Sequence, residues 1–282
     1  MIQRNALQSW KLLHPDAEVI LFGNDEGAAE TCRDLGLRHE PYVKRNENGT
    51  KYLNWIFDKA NEYSRHQFLC YANCDIMLGS DFLAALQVVS ARHNRFLITG
   101  QRWDTDITAP WDFSRPDWGA QLRSLALQKG KQNGPTWLDY FCFTRDLYYR
   151  KMPPFLIGRQ GWDPWLSYFC RKSHAALVDA TRAVAAVHQN HDYAYMRTGG
   201  ASRYSEAEAE YNWRLGDTSW WHFYCLHSAT DELVEGRLRR KWLAPLGATR
   251  TRMIAFGQQA KFACLKATRP VRHPLGLRRK TS

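Results

Sequence analysis

The stretch Phe68-Leu-Cys-Tyr-Ala-Asn-Cys-Asp75-Ile-Met-Leu78 decides how this chain is read. Five residues suited to a buried strand run into an acid, and a helix start follows at Ser80-Asp81. In an α/β sheet the carboxyl ends of the strands are where ligands bind, so Asp75 stands at a functional edge. A carboxylate cannot lose its water there without gaining a cation, a donor network or new solvent. The alternative for Asp75 taken alone is a solvated or helix-capping acid.

Outward from this stretch, short apolar segments alternate with helical patterns. Ile2 to Leu13 reads as a helix with Ala6, Trp10 and Leu13 on one face, and Pro15 lies beyond its end. Strands are expected at Glu18–Phe22, at Arg95–Gly100 and at Ala183–Val187, with helices at Gly27–Leu35, Tyr52–Tyr63 and Asp81 to about His93. Such alternation predicts an α/β fold: a mostly parallel, doubly wound sheet with helices on both faces. A doubly wound sheet normally opens on a strand, whereas this chain opens on a helix. The expected domain, residues 1–235, therefore lacks its first strand. Residues 236–282 are expected to form a basic tail.

Charge follows the same division. From Arg237 onward there are 13 Lys and Arg and no Asp or Glu, leaving 26 basic against 28 acidic residues before it, a net of −2. The whole-chain +11 is thus a property of the tail. A near-neutral body argues against nucleic acid as a partner. In the tail, Met253, Phe256, Ala260 and Ala263 recur at helical spacing among basic residues, which suits peripheral contact with an anionic membrane. No apolar run approaches the ~20 residues of a membrane span. Seven scattered cysteines without a CxxC pair favour a reducing, cytoplasmic setting over a disulfide framework.

Four segments carry candidate chemistry. Asn48-Gly49-Thr50-Lys51, followed by Asn54 and Ala60, is a loop entering a helix whose first amides suit an anion. Asn73-Cys74-Asp75 is the second. Gly158-Arg-Gln-Gly-Trp162-Asp163-Pro-Trp165 is the third, with Asp163 placed as an N-cap and Pro164 at the first helical position. Val187-His188-Gln-Asn-His191-Asp192 ends a late apolar strand. His188 and His191 offer a metal pair, but no third soft ligand lies nearby in sequence, so a structural zinc site is not expected. Six of the twelve tryptophans fall between residues 103 and 165, either as packing or as a wall for a sugar face.

In this order the four segments resemble the GT-A fold of nucleotide-diphospho-sugar glycosyltransferases, family-2-like members above all, over roughly residues 2 to 225. The resemblance implies transfer of a sugar from a nucleotide-sugar donor to a glycan or lipid-linked acceptor with Mn²⁺ or Mg²⁺. By position, Asp75 and His188 would hold the metal. Asn48, Gly49, Lys51, Asn54 and Asn73 would face the donor, Asp163 would be the acceptor-side acid, and Trp162, His191 and Asp192 would meet the acceptor. Asn73 stands where the family's paired-acid motif has its first acid, which removes one charge and keeps an oxygen. The chemistry asks for such residues: a hard cation neutralises the departing diphosphate, and a placed carboxylate takes the acceptor's proton. Competing expectations are a non-catalytic sugar- or nucleotide-sugar-binding protein on the same fold, and a nucleotidyltransferase. The latter would carry a Gly-rich basic loop near its start, and none is present.

Overall fold

The computed structural model of the chain describes residues 1–191, 207–216 and 224–242, together with Thr249 and Met253. They form α1 (Ile2–Lys11), β1 (Ile20–Phe22), α2 (Ala28–Leu35), β2 (Arg38–Glu40), α3 (Leu53–Tyr63), β3 (Phe68–Ala72), β4 (Ile76–Met77), α4 (Ser80–Ser90) and β5 (Phe96–Thr99), of which β2 and β4 were not expected. After these come β6 (Arg102–Thr105), α5 (Trp118–Lys129), β7 (Lys131–Gln132), β8 (Tyr140–Thr144), α6 (Trp162–Lys172), β9 (Ala176–Asp179), β10 (Ala186–Gln189), α7 (Ala207–Leu215), β11 (Asp231–Val234) and β12 (Arg237–Arg240).

The chain is α/β, but its sheets are mixed, which corrects the expected mostly parallel arrangement. The largest sheet runs β12-β11-β9-β5-β8-β3. β11, β9 and β5 pair in parallel; β12 on one side and β8 on the other run antiparallel to them, and β3, paired antiparallel with β8, runs in the same direction as β5. A second sheet runs β4-β10-β6-β7, and β1 pairs with β2 in a third.

Alternation explains why the central strands read as unbroken apolar runs. Leu69 and Tyr71 of β3, Phe141 and Phe143 of β8, Leu97 of β5 and Leu177 of β9 face one core beneath α3 and α6. Their neighbours Phe68, Ala72, Tyr140, Cys142, Phe96, Ile98 and Val178 face the opposite core beneath α4. With period two and both faces covered, nearly every position of β5, β8 and β9 is apolar, whereas the edge strand β3 leaves Cys70 exposed. Each fully buried Leu or Phe contributes about 1.5–3 kcal/mol. The first core is built on rings: Phe57 stacks on Phe143 with centroids 5.2 Å apart, and Tyr148 meets Phe143 edge-on at 4.9 Å.

The segment Asn73–Asp75 is where the chain leaves the six-stranded sheet, at the end of β3, and enters the four-stranded one at β4. A tight turn makes the step, with the Ile76 amide donating to the Asn73 carbonyl at 3.0 Å. The six-stranded sheet continues to Arg240, so the expected boundary at residue 235 falls inside the β11–β12 turn. Arg237, Arg239 and Arg240 belong to an edge strand, and the tail begins after it.

Candidate metal centre

Asp75 meets the late histidines because β4 pairs antiparallel with β10, with Ile76 opposite His188. This register sets the residue before β4 against the end of β10. His188 Nε2 lies 3.5 Å and His191 Nε2 3.4 Å from Asp75 Oδ2. One ligand atom from each of the three residues falls within 4.8 Å of the others. An ion bonded at ~2.1 Å would separate neighbouring ligand atoms by about 3.0–3.4 Å, so the two spacings from Asp75 Oδ2 fit one cation with little movement. Asp75 Oδ1 is buried and has no hydrogen-bond partner among the described residues. A buried carboxylate oxygen without a donor is the form that a cation completes.

The surroundings hold the centre rigidly. The backbone carbonyl of Asp75 accepts from the Gln189 amide at 3.1 Å and from Gln189 Nε2 at 3.3 Å. Gln189 Nε2 also donates to the Ile2 carbonyl at 2.9 Å, and Gln189 Oε1 accepts from Asn5 Nδ2 at 3.0 Å, so α1 clamps the end of β10. Burial alone would push the Asp75 carboxyl up; the imidazoles of His188 and His191 outweigh it and hold it below the ordinary aspartate value. Cys74 goes the other way, pushed up to about 11 first by burial and then by the charge of Asp75.

Behind His188 stands a chain of charges that sequence reasoning missed. Asp104 Oδ1 lies 3.0 Å from His188 Nδ1 and 2.9 Å from Arg102 Nε. Arg102 Nη1 donates to Asp139 Oδ2 at 2.7 Å, and its guanidinium sits 4.9 Å from the centre of the Trp137 ring. Asp139 is buried, which pushes its carboxyl up against the pull of Arg102. The available signal was the period-two spacing of Arg102 and Asp104, which puts a cation and an acid on one face of a strand.

The other expected site residues fall as follows. His191, expected on the acceptor side, lies beside Asp75 and His188, in a group that could hold a metal ion. Asn73 bonds to Asp139 instead: its Nδ2 donates to Asp139 Oδ1 at 2.6 Å, and its amide donates to the Asp139 carbonyl. Asp163 is not the N-cap of α6. That position is Gly161, held at φ +106, and Asp163 and Pro164 are the second and third helical residues. Trp162 is 8% exposed, with its ring 5.4 Å from Tyr71 and 5.3 Å from Phe141. It is thus a core ring that seats the start of α6 over β3, the strand ending near Asp75. Asp192 lies outside the described residues.

The loop at Asn48 is closed on itself. Asn46 Oδ1 accepts from the amides of Asn48 and Thr50, Asn46 O accepts from the Gly49 amide, and the Leu53 amide donates to Phe155 O. Those amides are unavailable as an anion cradle. Glu208 of α7 accepts from Asn46 Nδ2, Asn48 Nδ2 and Thr50 Oγ1, and pairs with Arg159 at 2.8 Å. Through Glu208 the first and third sequence segments meet. Lys51 pairs with Asp25, and its charge also reaches Cys74. Asn54 Oδ1 is buried and has no hydrogen-bond partner among the described residues.

All four segments therefore converge, in pairs: Asn73–Asp75 with His188–His191, and Asn48–Lys51 with the approach to Trp162. No known family model matches the chain, and no curated protein matches it.

Proposed function

We propose that the chain is a metal-dependent glycosyltransferase, moving a sugar from a nucleoside-diphosphate donor to a hydroxyl of a glycan or lipid-linked acceptor. The observation that carries this reading is the meeting of Asp75, His188 and His191 at the crossing between two sheets, where Asp75 Oδ2 faces both rings and Oδ1 is buried without a hydrogen-bond partner among the described residues. These three residues would hold the ion, which when bound supplies positive charge to offset that of the departing diphosphate. Two imidazoles and one carboxylate suit Mn²⁺ better than Mg²⁺, which prefers an all-oxygen shell. Lys51 and the orphan Asn54 Oδ1, at the start of α3, are the donor-side groups of this reading. Asp163 is the acceptor-side acid. It is half-buried in the first turn of α6, where the helix dipole favours the ionised carboxylate. In an inverting reaction it takes the acceptor's proton, an effect worth ~10²–10⁴-fold; in a retaining one it orients the acceptor.

The donor set favours one second reading, because two histidines and a carboxylate also hold Fe(II) in non-haem oxygenases. The test is release of nucleoside diphosphate from a panel of nucleotide sugars with and without Mn²⁺. Wild type should release it only with metal, and Asp75→Ala should retain less than about a tenth of that turnover with its fold intact. Asp163→Asn should keep metal and donor binding and lose transfer. Mn²⁺ binding without release from any donor would leave the non-catalytic reading, and Fe(II)-dependent dioxygen uptake would favour the second.

A further inference from the structure

At the opposite end of β3 from Asp75 lies a cavity of about 470 Å³ whose lining includes Arg65, His66, Arg95, Arg145 and Lys151. Its position follows from the topology. Arg65 precedes β3, Arg95 precedes β5, and Arg145 follows β8, which runs antiparallel to both. All three arginines therefore emerge at one edge of the six-stranded sheet. Five residues of β3 at ~3.3 Å each put this edge about 17 Å from the metal centre.

The charges here are held in place yet uncompensated. Arg145 Nη2 donates to the Asn61 carbonyl at 2.9 Å, Arg95 Nη1 to the Ser173 carbonyl at 3.3 Å, and Lys151 Nζ to the Asp146 carbonyl at 3.1 Å. Each cation is oriented by a neutral acceptor, and none of the three, nor Arg65, pairs with a carboxylate among the described residues. The one acid in the lining, Asp146, has its Oδ1 taken by Asn61 Nδ2 at 2.9 Å and its amide by Asn61 Oδ1 at 3.0 Å. Several arginines elsewhere do pair with acids: Arg4 with Asp34, Arg102 with Asp139, Arg123 with Asp81 and Arg159 with Glu208. Four cations without a carboxylate partner, three of them held by hydrogen bonds, raise the local potential around one concavity and favour a multivalent anion, and guanidinium forks match phosphate oxygens.

We propose that this cavity is a binding site for a phosphate-bearing ligand, separate from the metal centre and independent of the glycosyltransferase reading. The volume suits one or two phosphate groups with a small attached body. The phosphate can belong to a soluble compound or to a lipid headgroup, and two arms of one experiment distinguish them.

Inorganic pyrophosphate is titrated calorimetrically into the full chain at low salt, without divalent metal, using wild type, the double variant Arg65→Ala/Arg95→Ala, and Asp75→Ala. The double variant should bind about tenfold more weakly or worse, while Asp75→Ala should bind as wild type does. Both arginines are exposed, so the melting temperature should not move; Arg65→Lys/Arg95→Lys should restore most of the affinity and so exclude a folding defect. In the second arm, cosedimentation with phosphatidylglycerol vesicles that the double variant loses assigns the phosphate to a headgroup; cosedimentation that it keeps assigns it to the soluble ligand. Absence of saturable pyrophosphate binding, or binding that persists in the double variant, overturns the proposal.

Discussion

Asp104 stands on the far side of the His188 ring from Asp75, 3.0 Å from Nδ1. Its negative charge favours the proton on Nδ1, which would make Nε2 the nitrogen that binds an ion held with Asp75. Asp104→Asn removes the charge and keeps the size. Metal affinity should fall about 10–100-fold, as for other carboxylates that back a ligating histidine, while Arg102 keeps Asp139 and the melting temperature changes little. An unchanged Mn²⁺ titration would show that His188 is oriented by packing alone. The ligands themselves were partly legible in the sequence. Asp75 and His188 stand at the ends of apolar strands, where a polar residue has to be explained. His191 was visible, but its company with Asp75 was not, because that depends on a strand register that spans more than a hundred residues. Asp139 and Arg102 could not be read as a pair for the same reason.

Glu208 ties α7 to the loop ahead of α3 and is the main link between those elements. Burial pushes its carboxyl up, but hydrogen bonds from Asn46, Asn48 and Thr50 and the charge of Arg159 outweigh it and leave it below the ordinary glutamate value. A carboxyl depressed in the folded state stabilises it above the unfolded value of ~4.3, and this contribution is lost as pH falls through the folded value. Glu208→Gln should therefore lower stability at neutral pH by about 2 kcal/mol, and its deficit against wild type should shrink as the solution is acidified through the glutamate range. Melting temperatures of the two proteins across that range check this; a deficit that stays constant with pH would show that shape, not charge, makes the link. At this scale the sequence was most informative where burial is complete. The runs at Phe68 and Arg95 and the helices around them all appear within a few residues of their expected bounds. The short polar strands β2, β6, β7 and β12 have no such signature, since they are stabilised by pairing rather than by an apolar face. Strand direction was the larger miss: an apolar run of five residues looks the same parallel or antiparallel, and β8 and β3 turn out antiparallel.

Across the whole molecule, the six-stranded sheet ends at β12, where Arg237, Arg239 and Arg240 are exposed and Leu238 packs onto the core beneath α4. Charged residues on an edge strand discourage pairing with other chains, so this basic cluster has a structural use in addition to its charge. Lys241 closes the strand by donating to the Leu226 carbonyl at 3.2 Å, and beyond it Trp242 is 87% exposed. No helix among the described residues is long and apolar enough to cross a membrane. From residue 243 onward the chain carries nine Lys and Arg and no acid. Each basic residue near an anionic bilayer is worth ~1 kcal/mol, so even partial engagement of this segment gives measurable binding. Deletion is best started at residue 243. A cut at Gly236 would strip β12 from the sheet and uncover Leu233, confounding lost binding with lost folding. Cosedimentation with anionic vesicles should fall on deleting residues 243–282, and that of the intact chain should weaken with added salt as the Debye length shortens. Binding that survives the deletion, or no binding even at low salt, would show that the basic tail is not a membrane contact.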